Sequence, residues 1–436
     1  MKTTSAAVWQ NWAGTARCRP SRILRPSGDE EIAETIGAAA RAEKRVRVAG
    51  SGHSFNDIAC TDEVLLSLDR HDRILEVDRE ARTVTVQAGI TLGRLSEQLA
   101  SHGLALSNLG DVGYQTLAGA LATATHGTGA RFGNLSTQVR SIRLVLANSS
   151  VVECSPGSDP DGFRAAQASL GALGVFSAVT LQCEQAFNLH TVEEPARVED
   201  VLASFEQRIE ENEHFEFFWF PHTNRALTKA NNRTDRPPSL KNRGRAYVDE
   251  ILLANRVFGL FCRAGRRWPP ATPRLARLVG GLLSRSEEVD RSDRVFTSPR
   301  LVRFAEMEYA IPRASMADAF HEVRTLIQRS GFRVSFPVEV RAVAADDIPL
   351  SPSFGRVTAY IAVHMFQGVE YEPYFRGVEA IMQGMGGRPH WGKLHFRTAE
   401  TLRPAYPEWD RFAAVRGRLD PERRFANDYL DRVLGP

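Results

Sequence analysis

The sequence predicts an α+β protein with more than one domain. Its 436 residues exceed the roughly 250–300 residues at which a single hydrophobic core stops growing. Short β-rich runs and amphipathic helical segments follow one another without regular alternation, which favours mixed sheets with antiparallel hairpins over a doubly wound parallel sheet. With 43% hydrophobic and 25% charged residues, the composition is that of an ordinary globular protein.

The charge and the cysteines narrow the class further. Lys+Arg 55 against Asp+Glu 52 gives a formal net charge of +3, so nothing indicates a nucleic-acid partner. The five cysteines are scattered without a CxxC pair, which fits neither a disulfide framework nor a zinc site. Because no leader sequence and no apolar run of about 18 residues is present, we expect a cytoplasmic protein without a membrane span; peripheral membrane association stays open.

The first part of the chain reads as one α+β unit. Residues 26–42 predict a helix that opens with a capping box formed by Ser27 and Glu30. Residues 91–102 predict a second helix, with Leu92, Leu95 and Leu99 on one face and Gly103 at its end. The predicted strands are KRVRVAG, DEVLLSL, DRILEVD, RTVTVQAG, the hairpin SIRLVLANSSVVECS and GVFSAVTLQ.

From residue 186 a second α+β domain follows. HFEFFWFPHT is apolar on both faces and predicts a central, buried strand, while the polar, basic residues 231–246 predict an exposed loop. RLARLVGGLLSRS is a basic amphipathic stretch. The remaining predicted elements are the helices VEDVLASFEQRIEENE and MADAFHEVRTLIQRS and the strands MEYAIP, FPVEVRAV and TAYIAVHMF. There is no internal repeat.

Two Gly-rich segments are candidates for binding a phosphorylated ligand. VAGSGHSFND at 48–57 follows a strand, but it matches neither GxGxxG nor GxxxxGK[ST]. By itself, such a segment more often forms a structural turn than a ligand-binding loop. Residues 110–136 form a second segment, rich in glycine and threonine. Together the two segments suit a large phosphorylated ligand, while a plain turn with a structural His126 remains the alternative.

Three further features lie downstream. Lys393 in RPHWGKLH is either a partly desolvated, fixed positive charge in an apolar pocket or a surface lysine. Glu339 and Arg341 stand two residues apart on a strand and so share one face, as an active-site pair or as a solvated salt bridge. His364 lies on a strand, where a hydrogen-bonded core histidine is the default. A zinc site through His390 and His395 is disfavoured because no accompanying ligand motif is present.

In combination these motifs resemble a known family. VAGSGHSFND, ATATHGTG, HFEFFWFPHT, MEYAIP, FPVEVR, RPHWGK and RGRLDPERRFANDYL, in this order, resemble the aldonolactone oxidoreductases of the vanillyl-alcohol-oxidase flavoprotein superfamily, to which alditol oxidases are close. The resemblance spans nearly the whole chain. It implies a two-subdomain FAD-binding fold of the vanillyl-alcohol-oxidase (PCMH) type, here 1–185, an α+β cap domain built on an antiparallel sheet, here 186–400, and a segment 401–436 that packs back on the FAD domain.

The resemblance also implies the cofactor and its contacts. His53 stands where many members attach the flavin 8α-methyl covalently, and a single link is expected because residues 110–136 contain no cysteine. The residues that match FAD contacts are Ala49, Gly50, Ser51, Gly52, His53, Ser54, Thr116, Gly119, Thr123, Gly127, Gly129, Gly174, Val175 and Val179. No metal is expected.

For the reaction, the resemblance implies oxidation of a sugar lactone, such as L-gulono-1,4-lactone or D-arabinono-1,4-lactone, to an ascorbate-like enediol lactone. Hydride from the carbinol next to the lactone carbonyl would pass to flavin N5. Glu339, Arg341 and Lys393 match the substrate residues, and His364 matches a further pocket position. An alditol oxidase acting on a polyol such as xylitol is the alternative. The formal base and the electron acceptor, oxygen or a redox protein, stay open. A flavin-binding protein without activity is disfavoured because none of the three matching residues is lost.

Overall fold

The computed structural model describes residues 8–239, 257–298 and 301–436. Its strands are β1 (Trp9–Gln10), β2 (Arg17–Cys18), β3 (Arg22–Leu24), β4 (Val46–Ala49), β5 (Val64–Ser67), β6 (Ile74–Asp78), β7 (Thr83–Gln87), β8 (Leu104–Ala105), β9 (Val139–Val145), β10 (Val151–Cys154), β11 (Val175–Gln182), β12 (Glu184–Gln185), β13 (Asn188–Arg197), β14 (His214–Trp219), β15 (Arg225–Thr234), β16 (Ser286–Arg291), β17 (Phe304–Pro312), β18 (Val338–Val343), β19 (Thr358–Phe366) and β20 (Arg388–Pro389). Its helices are α1 (Asp29–Arg41), α2 (Leu92–Ser101), α3 (Leu117–Ala122), α4 (Pro160–Ala166), α5 (Val198–Ala203), α6 (Phe205–Glu211), α7 (Phe258–Arg267), α8 (Thr272–Gly281), α9 (Ser292–Phe296), α10 (Met316–Ser330), α11 (Glu372–Gly384), α12 (Ala399–Leu402), α13 (Trp409–Leu419) and α14 (Asp428–Leu434). None of the helices in the described ranges is long and apolar enough to cross a bilayer.

Two larger sheets lie in the first half of the chain. The strands of the first, in the order β3-β5-β4, are parallel, and those of the second, in the order β10-β9-β11-β7-β6, are antiparallel. The predicted hairpin is the β9–β10 pair, and Ser149 in its turn has a φ of 67°. The predicted α+β class with antiparallel hairpins is therefore confirmed, but parallel and antiparallel strands lie in separate sheets in the described ranges rather than in one mixed sheet.

The two predicted helices of this half form, but one begins differently. In α2 the Thr91 side chain accepts a hydrogen bond from Arg94 N, and Gly103, with a φ of 73°, follows the last turn. In α1 the capping residue is Gly28, which offers no side chain. The predicted Ser27–Glu30 capping box is wrong, because the Glu31 carboxylate instead accepts hydrogen bonds from the Ser27 backbone N and hydroxyl.

The second half is organised around an antiparallel eight-stranded sheet. Its strand order is β16-β13-β15-β14-β18-β19-β17-β20. The aromatic strand β14 lies between β15 and β18, so the predicted central position is confirmed. Every second residue of the inner strands, such as Phe217, Val340 and Ile361, packs with α5, α6, α10 and α11 in one hydrophobic cluster.

The opposite face of this sheet is buried and charged. The register places Glu216 opposite Arg341, and Glu306 opposite His364, while Glu308 follows Glu306 on the same face. All five side chains are less than one-tenth exposed. Because period-two alternation sends these residues away from the apolar cluster, they point together toward the first half of the chain.

Other predictions for this half need correction or fall outside the described residues. Residues 231–234, predicted as loop, belong to β15, where they pair with β13; residues 240–246 lie outside the described ranges. The segment predicted as one helix forms α5 and α6, which divide at Ser204. The basic amphipathic stretch, residues 274–286, overlaps α8 up to Gly281.

The C-terminal helices pack against the first half of the chain. Phe412 of α13 and Leu430 of α14 belong to the same hydrophobic cluster as Val86 and Leu95. The Arg47 guanidinium also donates a 2.6 Å hydrogen bond to the Phe425 carbonyl. The proposed boundaries near residues 185 and 400 stay predictions.

Candidate functional site

A cleft opens where β4 ends and the Gly-rich loop begins. Its lining includes ten of the predicted cofactor contacts: Ala49, Gly50, Ser51, Gly52, His53, Ser54, Thr116, Gly119, Thr123 and Gly174. The rest of its wall is mostly small or apolar, with Ala118, Ala122, Leu170 and Phe176. A groove lined largely by small and apolar residues lets a ligand approach the backbone closely.

Two glycines of the loop cannot be replaced without strain. Gly52 has a φ of 73°, the left-handed geometry that the sequence predicts for this loop. At Gly50, a Cβ atom would lie 2.2 Å from Thr116 Oγ1, because the second Gly-rich segment packs directly on the loop. The two segments thus touch each other, and both line the cleft.

Four predicted cofactor contacts do not line this cleft. Val175 and Val179 on β11 point into hydrophobic clusters. Gly127 packs against Asn108 and the Leu109 carbonyl. Gly129 donates a 2.7 Å backbone hydrogen bond to Ala342 O, which ties its segment to the end of β18. Their assignment to the cofactor stays a prediction.

His53 lies between two aromatic side chains at the mouth of the cleft. Its ring stacks on Trp12, with centroids 5.6 Å apart, and on Tyr114, with centroids 6.2 Å apart. Burial, with the nearby Lys393 ammonium, lowers the pKa of His53 to about 4. The imidazole is therefore neutral at pH 7 and has a free electron pair on one ring nitrogen.

The histidine loop is joined to the distant RPHWGK segment. Phe55 N donates a 2.7 Å hydrogen bond to Gly392 O, and Asn56 Nδ2 donates 2.8 Å hydrogen bonds to the carbonyls of Trp391 and Lys393. The Lys393 Nζ atom also lies 4.9 Å from the centre of the Phe55 ring. The cleft and the charged face of the sheet thus meet at this pair of loops.

Lys393 lies among carboxylates, and the predicted apolar pocket is wrong. Its Nζ atom is 2.6 Å from Glu306 Oε2, and Glu306 Oε1 is 3.6 Å from His364 Nε2. Burial alone would lower the pKa of Lys393, but Glu306 and Glu308 raise it above the ordinary value. The predicted fixed positive charge therefore has a structural basis. His364 also contacts Pro337 O through Nδ1 at 2.9 Å.

Arg341 is the centre of a second charged group. Its guanidinium pairs with Glu339, with Glu216 at 2.9 Å and with Asp111 at 3.5 Å. Although burial lowers the pKa of Arg341, Glu339 and then the other carboxylates raise it well above the ordinary value. The predicted shared face of Glu339 and Arg341 is confirmed, and the alternative of a solvated salt bridge is wrong because both side chains are below 10% exposed.

A third group joins the second Gly-rich segment to the sheet. His126 Nε2 lies 3.4 Å from Glu308 Oε1, and the His126 ring stacks on Tyr360 with centroids 3.6 Å apart. His126, Glu308 and His390 hold ligand atoms within 4.8 Å of one another. However, His390 Nδ1 accepts a hydrogen bond from Gly392 N, which leaves the ring proton on Nε2. Neither nitrogen then has a free electron pair for a metal, so the three residues are better suited to a hydrogen-bonded network.

Three buried carboxylates of this site are not among the residues predicted from the sequence. Glu306 and Glu308 lie in FAEMEYAIP, and Glu216 lies in HFEFFW. A usable signal was present: a carboxylate in an otherwise apolar central strand must find a cation, because an unpaired buried charge is costly. What the sequence could not provide was which cation each carboxylate meets.

Two family models match this chain. Residues 179–433 match the family model described as D-arabinono-1,4-lactone oxidase, and residues 20–155 match an FAD-binding domain. Among solved structures, a solvent-stable cholesterol oxidase has a TM-score of 0.84 at 19% identity, covering 99% of this chain and 98% of its own. Cholesterol oxidase from B. sterolicum has a TM-score of 0.80 at 18% identity, covering 100% and 97%. These two show a shared fold of the predicted type.

Curated relatives are much closer in sequence. L-gulono-1,4-lactone dehydrogenase of Mycobacterium tuberculosis is 48% identical over 98% of this chain and 99% of its own. L-gulonolactone oxidase of Bos taurus is 37% identical over 98% of both chains, and alditol oxidase of a Streptomyces species is 33% identical over 97% and 98%. The resemblance inferred from the ordered motifs is confirmed: the chain belongs to the D-arabinono-1,4-lactone oxidase family and carries an FAD-binding domain.

Proposed function

We propose that this chain is an FAD-dependent oxidoreductase that oxidises an aldono-1,4-lactone of the gulono or arabinono type. The oxidised position is the carbinol next to the lactone carbonyl. The names of the lactone-oxidising relatives support this substrate class. The observation that carries the proposal is the buried charged face beside the cleft, where Lys393, paired with Glu306, joins Glu339 and Arg341 although it is distant from them in the sequence.

The cleft fits FAD in shape and chemistry. Its backbone-rich lining at residues 49–54 can approach a pyrophosphate closely, and the second Gly-rich segment offers the hydroxyls of Thr116 and Thr123. When bound, FAD supplies the acceptor for a hydride. The residues proposed to hold it are the ten predicted contacts in the cleft wall, with His53 at the end that faces Lys393.

We further propose that His53 holds the flavin covalently through its 8α-methyl group. Bond formation at that carbon needs a nitrogen with a free electron pair, and the lowered pKa of His53 keeps the imidazole neutral at pH 7. The methyl carbon and the imidazole would each give up a proton, the flavin ring would take up the electron pair, and the electron acceptor of the enzyme, oxygen or a redox protein, would reoxidise it. Trp12 and Tyr114 limit the rotation of the ring by stacking on it. An alkylated imidazole withdraws electron density from the flavin, which would make it a stronger oxidant.

Arg341 and Lys393 are proposed to stabilise negative charge that develops on the substrate oxygen. Both are held charged by buried carboxylates, and a fixed charge in a water-poor site acts more strongly than one in water. Glu339 would accept hydrogen bonds from substrate hydroxyls and fix the guanidinium plane of Arg341. His364, next to Glu306, would complete the pocket wall.

Oxidation of a polyol is the second candidate, because the alditol oxidase relative covers 97% of this chain and a polyol carbinol could use the same cations. Anaerobic mixing of the holoenzyme with L-gulono-1,4-lactone, D-arabinono-1,4-lactone or xylitol separates the two. We expect bleaching of the flavin absorbance with a lactone. Bleaching with xylitol alone would contradict the lactone proposal.

The same preparation tests the proposed residues and the acceptor. Arg341→Met should bind FAD yet lose about 100-fold in the rate of bleaching, while the exposed Arg79→Gln should keep the wild-type rate. Peroxide formed in air, compared with reduction of a cytochrome under nitrogen, distinguishes an oxidase from a dehydrogenase. Flavin bleaching at the wild-type rate in Arg341→Met would contradict the proposed role of Arg341 in the reaction.

A further inference from the structure

Two of the five cysteines, Cys18 and Cys60, are partly exposed, although they stand 42 positions apart in the sequence. The other three are buried in hydrophobic clusters. Burial raises the pKa of Cys154 to about 11 and the pKa values of Cys183 and Cys262 to about 12. These three thiols stay protonated at pH 7 and are shielded from an oxidant in solution. The proposed lactone chemistry uses neither Cys18 nor Cys60.

The backbone brings Cys18 level with Cys60. Strands β3 and β5 are parallel neighbours, with Arg22 opposite Val64. Hydrogen bonds to the backbone and side chain of Asp62 continue this contact on the N-terminal side of β3. In the same register, Cys18 lies beside Cys60. Neighbouring strands are about 4.8 Å apart, which is within the Cα separation of about 4.4–6.8 Å that a disulfide spans.

The two side chains also interact. Burial raises the pKa of Cys60, and the adjacent Cys18 raises it further, with smaller effects from Asp57 and Asp62. The backbone of Cys60 is fixed, because its N donates a 2.9 Å hydrogen bond to Asp57 O and its carbonyl accepts a 2.8 Å hydrogen bond from Asn427 Nδ2. The structure thus holds two partly exposed thiols side by side, as disulfide formation requires.

The cysteine pair lies where the N-terminal hairpin meets the histidine loop. This hairpin, residues 9–18, is the β1–β2 pair and ends at Cys18. Within it, Trp12 N donates a 2.8 Å hydrogen bond to a carbonyl of the loop, and the Trp12 ring stacks on His53. Cys60 follows His53 in the same segment of chain. A bond between the two cysteines would therefore tie the hairpin that covers His53 to the segment that carries it.

We propose that Cys18 and Cys60 form a reversible disulfide that locks the N-terminal hairpin onto the histidine loop. Neither cysteine has a place in the proposed lactone oxidation, so the inference does not depend on it.

The oxidant is hydrogen peroxide. The Cys18 sulfur attacks one peroxide oxygen, the O–O bond breaks, and water leaves as Cys18 becomes a sulfenic acid. The Cys60 sulfur then attacks the Cys18 sulfur, so that the S–S bond forms and the S–O bond breaks. The hydroxyl leaves as a second water with the proton of Cys60. The two sulfurs together lose two electrons, which peroxide gains, and a small thiol reverses the reaction by exchange.

Peptide mapping of the full-length holoenzyme tests the bond. The protein is reduced, freed of reductant, treated with one equivalent of hydrogen peroxide, blocked with N-ethylmaleimide and digested with trypsin without reduction. We expect residues 18–22 to be linked to residues 48–70, two hydrogen atoms lighter than the separate thiol peptides. Dithiothreitol should release them. Cys18→Ser and Cys60→Ser should each lose the linkage, while Cys183→Ala, changed at a buried thiol, should keep it.

A second measurement tests the lock. Because the bond closes a loop of about 40 residues, oxidation should raise the Tm of the wild type by about 5 °C. The Trp12 amide, which lies in the hairpin, should exchange its hydrogen about tenfold more slowly in the oxidised protein. Peroxide should produce neither change in Cys18→Ser. Equal flavin absorbance in the reduced and oxidised proteins establishes that both retain the cofactor site.

Three results would overturn the proposal. The first is wild-type protein in which both thiols remain free, or in which Cys18 is oxidised to a sulfinic acid while Cys60 remains free. The second is a linkage of either cysteine to a different cysteine or to a second copy of the chain. The third is a linked protein that melts and exchanges hydrogen like the reduced one, which would contradict the lock.

Discussion

The ammonium of Lys393 lies 2.6 Å from the carboxylate of Glu306, and the two side chains are only 21% and 8% exposed. Glu306 stands directly opposite His364 on the neighbouring strand, so one carboxylate contacts two of the predicted substrate residues. Burial raises the pKa of Glu306, but the opposite effect of Lys393 and His364 is larger. The pKa of Glu306 is therefore below its ordinary value. We therefore propose that Glu306 is a positioning residue, which holds the lysine charged and in place.

Glu306→Gln should reduce the rate of flavin bleaching by about 100-fold without releasing FAD. Without the carboxylate, burial lowers the pKa of Lys393, so the alkaline limit of activity should move to lower pH. Stopped-flow bleaching between pH 6 and 10 measures both effects. Glu306→Asp should restore part of the rate, and the exposed Glu287→Gln serves as the control. A wild-type pH profile in Glu306→Gln would contradict this role.

His53→Ala should release the cofactor when the protein is denatured in acid. In the wild type we expect the yellow colour to stay with the precipitated polypeptide, because the proposed bond survives unfolding. The exposed His321→Ala should behave as the wild type. Colour in the wild-type supernatant would contradict the proposed covalent bond. It would not contradict the proposed lactone reaction, since flavin bleaching is measured separately.

Gly50→Ala should lower FAD occupancy. The new methyl group would lie 2.2 Å from Thr116 Oγ1, so the two segments that line the cleft must move apart. Absorbance of the purified protein at 450 nm relative to 280 nm reports the bound flavin. Gly157→Ala is the matched control, because no heavy atom lies within 4 Å of its added methyl group. Adding Thr116→Ala to Gly50→Ala should recover occupancy if the clash is the cause.

His214 should make the fold sensitive to acid. Burial lowers the pKa of His214 to about 4, while an unfolded histidine titrates near 6.5. The unfolded chain therefore binds the proton first, so the stability from neutral His214 is complete above about pH 6.5 and is lost as the pH falls through about 4, a change of about 3 kcal/mol.

Thermal melting of wild type and His214→Gln between pH 4 and 8 measures this contribution. The decline in Tm below pH 6.5 should be shallower in the variant than in the wild type. His321→Gln, which changes an exposed histidine, should follow the wild-type curve. Equal slopes for wild type and His214→Gln would show that His214 contributes no acid sensitivity.

The sequence by itself determined the class, most elements and the family. Periodic leucines, Thr91 and Gly103 predict α2 correctly because capping and amphipathicity are local. The predicted Ser27–Glu30 capping box is wrong because Ser27 has a competing local partner. Its backbone N donates to the carboxylate of Glu31, one residue further along the helix. At residues 231–234 the polar composition predicted a loop, whereas pairing with β13 makes them a strand.

Only the tertiary structure decided which charges meet. Glu339 and Arg341 are two residues apart, so strand geometry alone predicts their shared face. Glu306 and Lys393 meet because the order of the strands and the hydrogen bond between the Phe55 and Gly392 loops bring them together. Neither the strand order nor this loop contact can be predicted from the local sequence pattern. A strand's alternation fixes which side chains leave the apolar face, but pairing across the sheet and docking of the two halves determine their partners, because those contacts depend on residues distant in the chain.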